Sequence, residues 1–540
     1  MHIVFNEEHY LDNAKTPIDL KQEPADIVIL SFSDSDLTAF ASAWKKTRSD
    51  YGENLPSLRL ANIKDLTHNL SVDTYIENTI ADSKCVLVRL IGGEQYWPYG
   101  LNYLKSISLE KNISLAIIPA DGREDKVLDS YSNLPKGTLD SIKKLCDNGG
   151  QVSAQAVLAQ LSMAASLYFP PVINFQKLPS HGYYCDKVGI TETFKKLRKN
   201  KSLVCLIFYK SYLAADDLDP VNRILKSIRR SGASAIGIFV NSLKNKNLAS
   251  WLISELQILK PVSIINGTAF SAKDAKTLKS PLDYTECPVF QVIFSTSKKI
   301  GWQKNPLGLN TSDLAMHVAL PEVDGRIDGG IVSFKSENKI DKDLQFSITS
   351  HKAEKHLIKK TIKKVINWNN LSMNSNSEKT VAIILSSYPG REYQLAHAIG
   401  LDTIKSTEKL INFLCKEGFK EDLKGDLLPK LKKAEIKIPI EVYESMLATL
   451  PKSHQNKIFN KWGSINLDQN YRDGYLVLKG LRNGNIFVLV QPNRGSDKQK
   501  KLSYHDLEQI PCHSYVAFYL WLSTTAVSYT HLTLPTILLV

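Results

Sequence analysis

Short apolar runs alternate with amphipathic stretches through most of this chain, and that alternation restricts it to α/β layers. Ile27 to Phe32 (IVILSF), Val86 to Leu90 and Leu115 to Pro119 read as buried strands. Leu37 to Arg48 and Gln151 to Leu167 read as helices packed on them. The pattern restarts with Leu203 to Tyr209, Ile236 to Val240, Ser263 to Ile265 and Val289 to Phe294. Between these lies Asp219 to Arg230, a helix with Asp219 expected as N-cap and Pro220 at its first position. Such βαβ spacing predicts a parallel sheet of flavodoxin-like or periplasmic-binding-like type.

With 540 residues the chain is too long for one core. The fold class expected is α/β, as several successive domains. A head domain spans 1–190 and a parallel α/β domain 198–300. A connecting segment covers 301–378 and ends in the polar run Asn369 to Thr380. A further, incomplete α/β domain covers 379–523. From Thr524 the chain reads TTAVSYTHLTLPTILLV, with no acid or base except His531. This resembles translated sequencing-adapter DNA, so 524–540 is expected to be an artefactual tail on a truncated reading of the gene.

The net charge of +13 raises the question of a polyanionic partner. The excess is diffuse, however. Its densest part, Lys352 to Lys364, alternates apolar and basic residues at helical spacing, as a solvated helix face does. No RNP motif, zinc finger or Arg-rich arm is present, so no nucleic-acid partner is expected. The seven cysteines are scattered without any C-x-x-C, which argues against a disulfide framework and a structural zinc site. No run reaches the ~18 apolar residues a membrane helix needs, and no secretory leader is legible, so the cytoplasm is expected.

The chemistry-bearing residues concentrate in Asp313 to Lys335, DLAMHVALPEVDGRIDGGIVSFK. His317, Glu322 and Asp324 are types that bind metals or move protons, and Arg326 can clamp a carboxylate. The segment reads as a loop rich in Gly and Pro, followed by a strand from Ile331 to Phe334. The structural reading is the commoner outcome for such residues: Asp324-Gly325 makes a turn, Arg326 pairs with Glu322, and His317 is a core histidine. No G-x-x-x-x-G-K-[ST], H-E-x-x-H or G-x-S-x-G occurs, so ATP has no recognisable P-loop here.

Several blocks, in order, resemble the large subunit of aerobic cobaltochelatase, in the family that includes the magnesium chelatase large subunits. These are RLIGGEQYWPYG (Arg89 to Gly100), Phe208-Tyr209-Lys210 with Asp219-Pro220-Val221, and Asn266 to Phe270. Cys287 to Val292, LPEVDGRI (Leu320 to Ile327) and Tyr388-Pro389 with Gly400 to Thr403 follow. Gln491-Pro492 with Arg494-Gly495, Tyr504-His505 and PCHSYVAFYLWL (Pro511 to Leu522) complete the set. The chain departs from the family pattern at Arg391 to Ala398 and at Cys512.

The resemblance implies insertion of cobalt into hydrogenobyrinic acid a,c-diamide in corrin biosynthesis. Cobalt is a substrate, and ATP is hydrolysed by separate motor subunits. It also implies that the family's main His- and Glu-bearing block lies beyond residue 522, so that this stretch alone lacks a complete active site. Metal insertion needs a base for the pyrrole protons, transient ligands for the cation and cationic grips for the substrate's carboxylates. His505 and His513 are the candidate bases. Arg326, Gln491 and Arg494 are the candidate substrate contacts, and His317, Glu322 and Asp324 the candidate metal ligands. Tyr96 and Trp97 can stack on a macrocycle, although core packing is commoner for such aromatics. A magnesium chelatase large subunit and a non-catalytic tetrapyrrole- or partner-binding scaffold are the alternatives.

Overall fold

The computed structural model describes residues 16–52, 54–120, 124–172, 175, 177–191, 202–306, 308–337, 339–385, 401–421, 425–495 and 509–526. The chain divides into two compact units, Met1–Lys363 and Lys364–Val540. Tyr388-Pro389, Arg391 to Ala398, Gly400, Tyr504, His505 and residues 527–540 lie outside the described residues.

The first unit holds two sheets. In one, β1 (Ile27–Ser31), β2 (Leu58–Asn62), β3 (Cys85–Leu90) and β4 (Ser114–Pro119) run parallel in the order β2-β1-β3-β4. Ile27 and Ile29 face one core, built with the helices Asp34–Tyr51 and Gln151–Ala164. Val28 and Leu30 face the opposite core, built with the helix Pro98–Glu110. Burial on both faces explains why these strands read as unbroken apolar runs.

The second sheet has eight strands in the order β12-β11-β10-β9-β7-β8-β5-β6. They are β5 (Gly182–Cys185), β6 (Gly189–Thr191), β7 (Leu203–Tyr209), β8 (Ser234–Val240), β9 (Ser263–Asn266), β10 (Val289–Lys298), β11 (Ile327–Glu337) and β12 (Thr349–Ala353). Its five-stranded core, β8-β7-β9-β10-β11, is parallel. Counted within that core the order is 2-1-3-4-5, the flavodoxin order, and the first sheet repeats its first four places. β12 and the β5–β6 pair border the core in antiparallel register.

Three expectations need correction. Residues 313–323 are not a loop: Thr311–Leu314, a wide π-type turn at Ala315–Ala319 and Leu320–Val323 form continuous helix. Asn310 caps it by accepting from the Asp313 amide at 2.6 Å, and Pro321 sits in the first turn of its last segment, where proline is tolerated. Asp219 is not an N-cap; Leu218 holds that place, and the Asp219 carboxylate accepts from the Ala353 amide at 2.8 Å.

The segment 301–353 also does more than connect. It supplies β11 and β12 to the second sheet, and the loop between them reaches the first. Leu344 is fully buried in the core beneath the helix Asp34–Tyr51, with Phe346 and Ile348 packed beside it. The Asp343 carbonyl accepts from Arg59 Nη1 at 2.8 Å, while Lys45 and Arg48 pair with Asp341 and Asp343, each at 2.6 Å.

In the second unit, β13 (Val381–Leu385) lies parallel to β17 (Ile486–Val490). β16 (Tyr475–Asn483) forms a hairpin with β17, and β14 (Glu435–Pro439) and the short β15 (Tyr471–Arg472) pair antiparallel with β16. Phe487 and Leu489 face a core made with the helices Ile440–Leu447, Lys452–Trp462 and His513–Trp521. Ile486, Val488 and Val490 face the helices Thr403–Lys416 and Leu427–Lys433.

Candidate functional site

In the second sheet the strand order reverses between β7 and β9, and ligands of such sheets bind beyond the carboxyl ends at the reversal. Tyr209 ends β7 and Asn266 ends β9. Beyond Asn266 the chain turns through Gly267, Thr268 and Ala269. Tyr209 Oη donates to the Ala269 carbonyl at 3.0 Å and accepts from the Ala269 amide at 3.1 Å. Gln291, on β10, donates from Nε2 to the Thr268 carbonyl at 2.7 Å. Its Oε1 accepts from Asn266 Nδ2 at 2.7 Å and from Arg326 Nη1 at 3.0 Å.

The other arm of Arg326 pairs with Asp324, Nη2 to Oδ2, at 2.8 Å. Asp324 also accepts from the Ala272 amide at 2.7 Å and from the Ser271 hydroxyl. Gly325, between the two partners, takes φ +72°, which a side chain would strain. Gly329 lets β11 approach β10, since a Cβ there would stand 2.7 Å from the Gln291 carbonyl oxygen. Burial pulls the Arg326 guanidinium below its ordinary range, opposed first by the Asp324 carboxylate.

Asn266 to Phe270, Cys287 to Val292 and Leu320 to Ile327, distant in sequence, therefore meet in one buried network whose members occupy one another. In the sequence, Asn266 and Gln291 stand out only as parts of their blocks. Their signal was polarity at the carboxyl end of one apolar strand and inside the next.

The expected metal set does not assemble. Glu322 is exposed, and both Asp324 oxygens are taken. His317 lies inside the π-type turn, 5% exposed, with Nδ1 lacking a hydrogen-bond partner among the described residues. Burial lowers its pKa, with Asp313 opposing. Asp313 is itself spent on β10, accepting from Ser295 Oγ at 2.7 Å and the Thr296 amide at 2.9 Å. Among the described residues no three His, Cys, Asp or Glu side chains come together as a group able to hold a metal ion. Arg326 pairs with Asp324 rather than Glu322, and both of its terminal nitrogens are engaged within the network.

In the second unit, His513 is fully buried, and both ring nitrogens have partners: Tyr443 Oη and the Gly463 carbonyl, each at 3.0 Å. This fastens the start of the helix His513–Trp521 and leaves no ring nitrogen unengaged to act as a base. Gln491 Nε2 donates to Tyr519 Oη at 2.7 Å, and Arg494 Nη2 to the Gln509 carbonyl at 2.8 Å. Both remain partly exposed. In the first unit, Trp97 is core, donating to the Leu66 carbonyl at 2.7 Å, while Tyr96 is 45% exposed.

The family model CobN/Magnesium Chelatase matches residues 144–528 of this chain. The chain belongs to that family. The aerobic cobaltochelatase subunit CobN of Sinorhizobium sp is 30% identical over 97% of this chain and 43% of its own length. The Pseudomonas aeruginosa subunit of the same name is 29% identical over 93% of this chain and 42% of its own. The chloroplastic magnesium-chelatase subunit ChlH of Oryza sativa subsp. indica is 22% identical over 61% of this chain and 24% of its own length. The catalytic subunit of cobaltochelatase from Mycobacterium tuberculosis shares the fold, with a TM-score of 0.67 at 23% identity over 93% of this chain and 41% of that one. This CobN-family chain thus spans less than half the length of the curated relatives it matches. Among its described residues no helix is long and apolar enough to cross a membrane.

Proposed function

We propose that this chain is the amino-terminal portion of a cobalt-inserting chelatase large subunit, acting on hydrogenobyrinic acid a,c-diamide in corrin biosynthesis. One observation carries the choice of metal branch. The cobaltochelatase relatives match 93% and 97% of this chain, whereas the plant magnesium-chelatase subunit matches 61% at lower identity.

In this reading the chain supplies scaffold and tetrapyrrole contacts, and motor subunits supply ATP hydrolysis. The lack of a P-loop sequence agrees with that division. Gln491, Arg494 and His505 are assigned to the macrocycle side: an amide and a guanidinium for the substrate's carboxylates and amides, an imidazole for a pyrrole proton. Arg326 with Asp324, and His513, hold the framework. Metal insertion is assigned to the longer protein, because the described residues bring together no metal-ligating group.

Titrating the purified chain with hydrogenobyrinic acid a,c-diamide and with protoporphyrin, followed by absorbance and fluorescence, tests the reading. The corrin precursor is expected to bind at least ~10-fold more tightly, a difference of about 1.4 kcal/mol. Preference for the porphyrin would move the chain to the magnesium branch. Binding of neither would leave the scaffold reading in place.

A further inference from the structure

The first unit contains a cavity of about 420 Å³ that both of its sheets reach with their carboxyl ends. Asp34 follows β1 and Asn62 ends β2, while Lys298 ends β10 and Glu337 ends β11. Carboxyl ends are where α/β sheets bind ligands, and the volume falls in the range of about 300–1,000 Å³ usual for small-molecule sites. The loop carrying Leu344 forms part of the wall through Gln345 and Phe346.

Charges of both signs line the cavity: Asp34, Asp65 and Glu337 against Lys64, Lys298 and Lys335. Lys298 pairs with Glu337 at 2.6 Å, and Asp34 accepts from Asn62 Nδ2 at 2.8 Å. Asp65 stands on the wall from the first sheet, beside Lys64, and Lys335 on the wall from the second. The Asp65 side chain, on the turn after β2, makes no hydrogen bond or ion pair among the described residues. Partial loss of water raises its pKa, Asp34 adds to the rise, Lys64 opposes it and Glu337 adds a smaller part, so a further cation beside it would act in the same direction as Lys64. Lys335, on β11, is largely buried and forms an ion pair with the Asp217 carboxylate at 3.8 Å, a separation too long for a hydrogen bond, so the pair leaves its N–H donors to a ligand. Leu60 and Phe346 add apolar wall between them.

We propose that this cavity binds a small zwitterion of amino-acid type, its ammonium on Asp65 and its carboxylate on Lys335. A metal ion alone is disfavoured, since no three ligating side chains converge among the described residues. A simple anion would face Asp34, Asp65 and Glu337, and a simple cation Lys64, Lys298 and Lys335, whereas a zwitterion meets both signs. The inference is independent of which tetrapyrrole the family reading assigns.

Calorimetric titration of the full chain with the twenty L-amino acids tests it, with succinate and putrescine as probes bearing one sign of charge. At least one amino acid is expected to bind with a Kd below about 1 mM, and both controls more weakly. Asp65→Asn and Lys335→Met are each expected to weaken that binding by about 10-fold or more, the usual effect of losing a charge-assisted hydrogen bond. Asp65 is exposed, so its variant should melt like the parent and remain informative even if Lys335→Met is unstable. Binding by no amino acid, equal binding of succinate or putrescine, or unchanged affinity in Asp65→Asn would each overturn the proposal.

Discussion

Asp324→Ala is expected to destabilise the chain by about 3–5 kcal/mol, the usual result of leaving one member of a buried ion pair without its partner. Both side chains of the Asp324–Arg326 pair are essentially inaccessible to solvent. The substitution removes three acceptor contacts at once, from Ser271, the Ala272 amide and Arg326. It leaves a guanidinium buried beside Gln291, where desolvation already opposes its charge. Arg326→Ala should cost a similar amount for the mirrored reason. The double variant should cost clearly less than the sum of the two, because it removes both charges. Glu322→Ala, two residues away but exposed, should change stability by less than about 0.5 kcal/mol. Urea denaturation of the four proteins measures all of this. Additive losses for Asp324 and Arg326 would mean that the two do not act as a unit.

Leu344→Ala should cost about 2–5 kcal/mol, as for other fully buried leucines. Leu344 is a plug sent from the β11–β12 loop into the core of the neighbouring sheet, where it meets the helix Asp34–Tyr51. The ion pairs around it, Lys45–Asp341 and Arg48–Asp343, are partly exposed and should each contribute less than about 1 kcal/mol. Ile340→Ala, in the same loop but 70% exposed, is the matched control and should be nearly silent. Thermal melting separates the two. A loss at Leu344 no larger than that at Ile340 would mean that the loop does not anchor the first sheet.

Much of the fold was legible because parallel strands buried on both faces leave unbroken apolar runs. β1, β3, β7 and β8 show this directly. β2 (LRLAN) escaped because Arg59 interrupts its run. Arg59 is buried only because the carbonyls of Glu23, Leu58 and Asp343 receive it, and Asp343 is 284 residues away. The helix through residues 311–323 was read as a loop because proline and the following glycines dominate local propensity, while its cap, Asn310, lies just outside the segment considered. The site was legible as a set of residue types and not as geometry. Asp324 looked like a ligand because a sequence does not show that Ser271 and Ala272 fold back to take its oxygens. His513 looked like a base because Tyr443 and Gly463, which occupy it, are 70 and 50 residues away.

LPEVDGRI locks the second sheet, through the Asp324–Arg326 pair and the bonds of these residues to the Ala272 amide and Gln291, and a cobalt site in this block would need Glu322 or His317. Calorimetric titration of cobalt(II) into the parent chain, Glu322→Gln and His317→Gln tests it most directly. Glu322→Gln alters an exposed side chain, so a change in its binding isotherm would not come from unfolding. Superimposable isotherms for the three proteins are predicted. Loss of a cobalt site in Glu322→Gln, or in a His317→Gln protein that remains folded, would contradict the account.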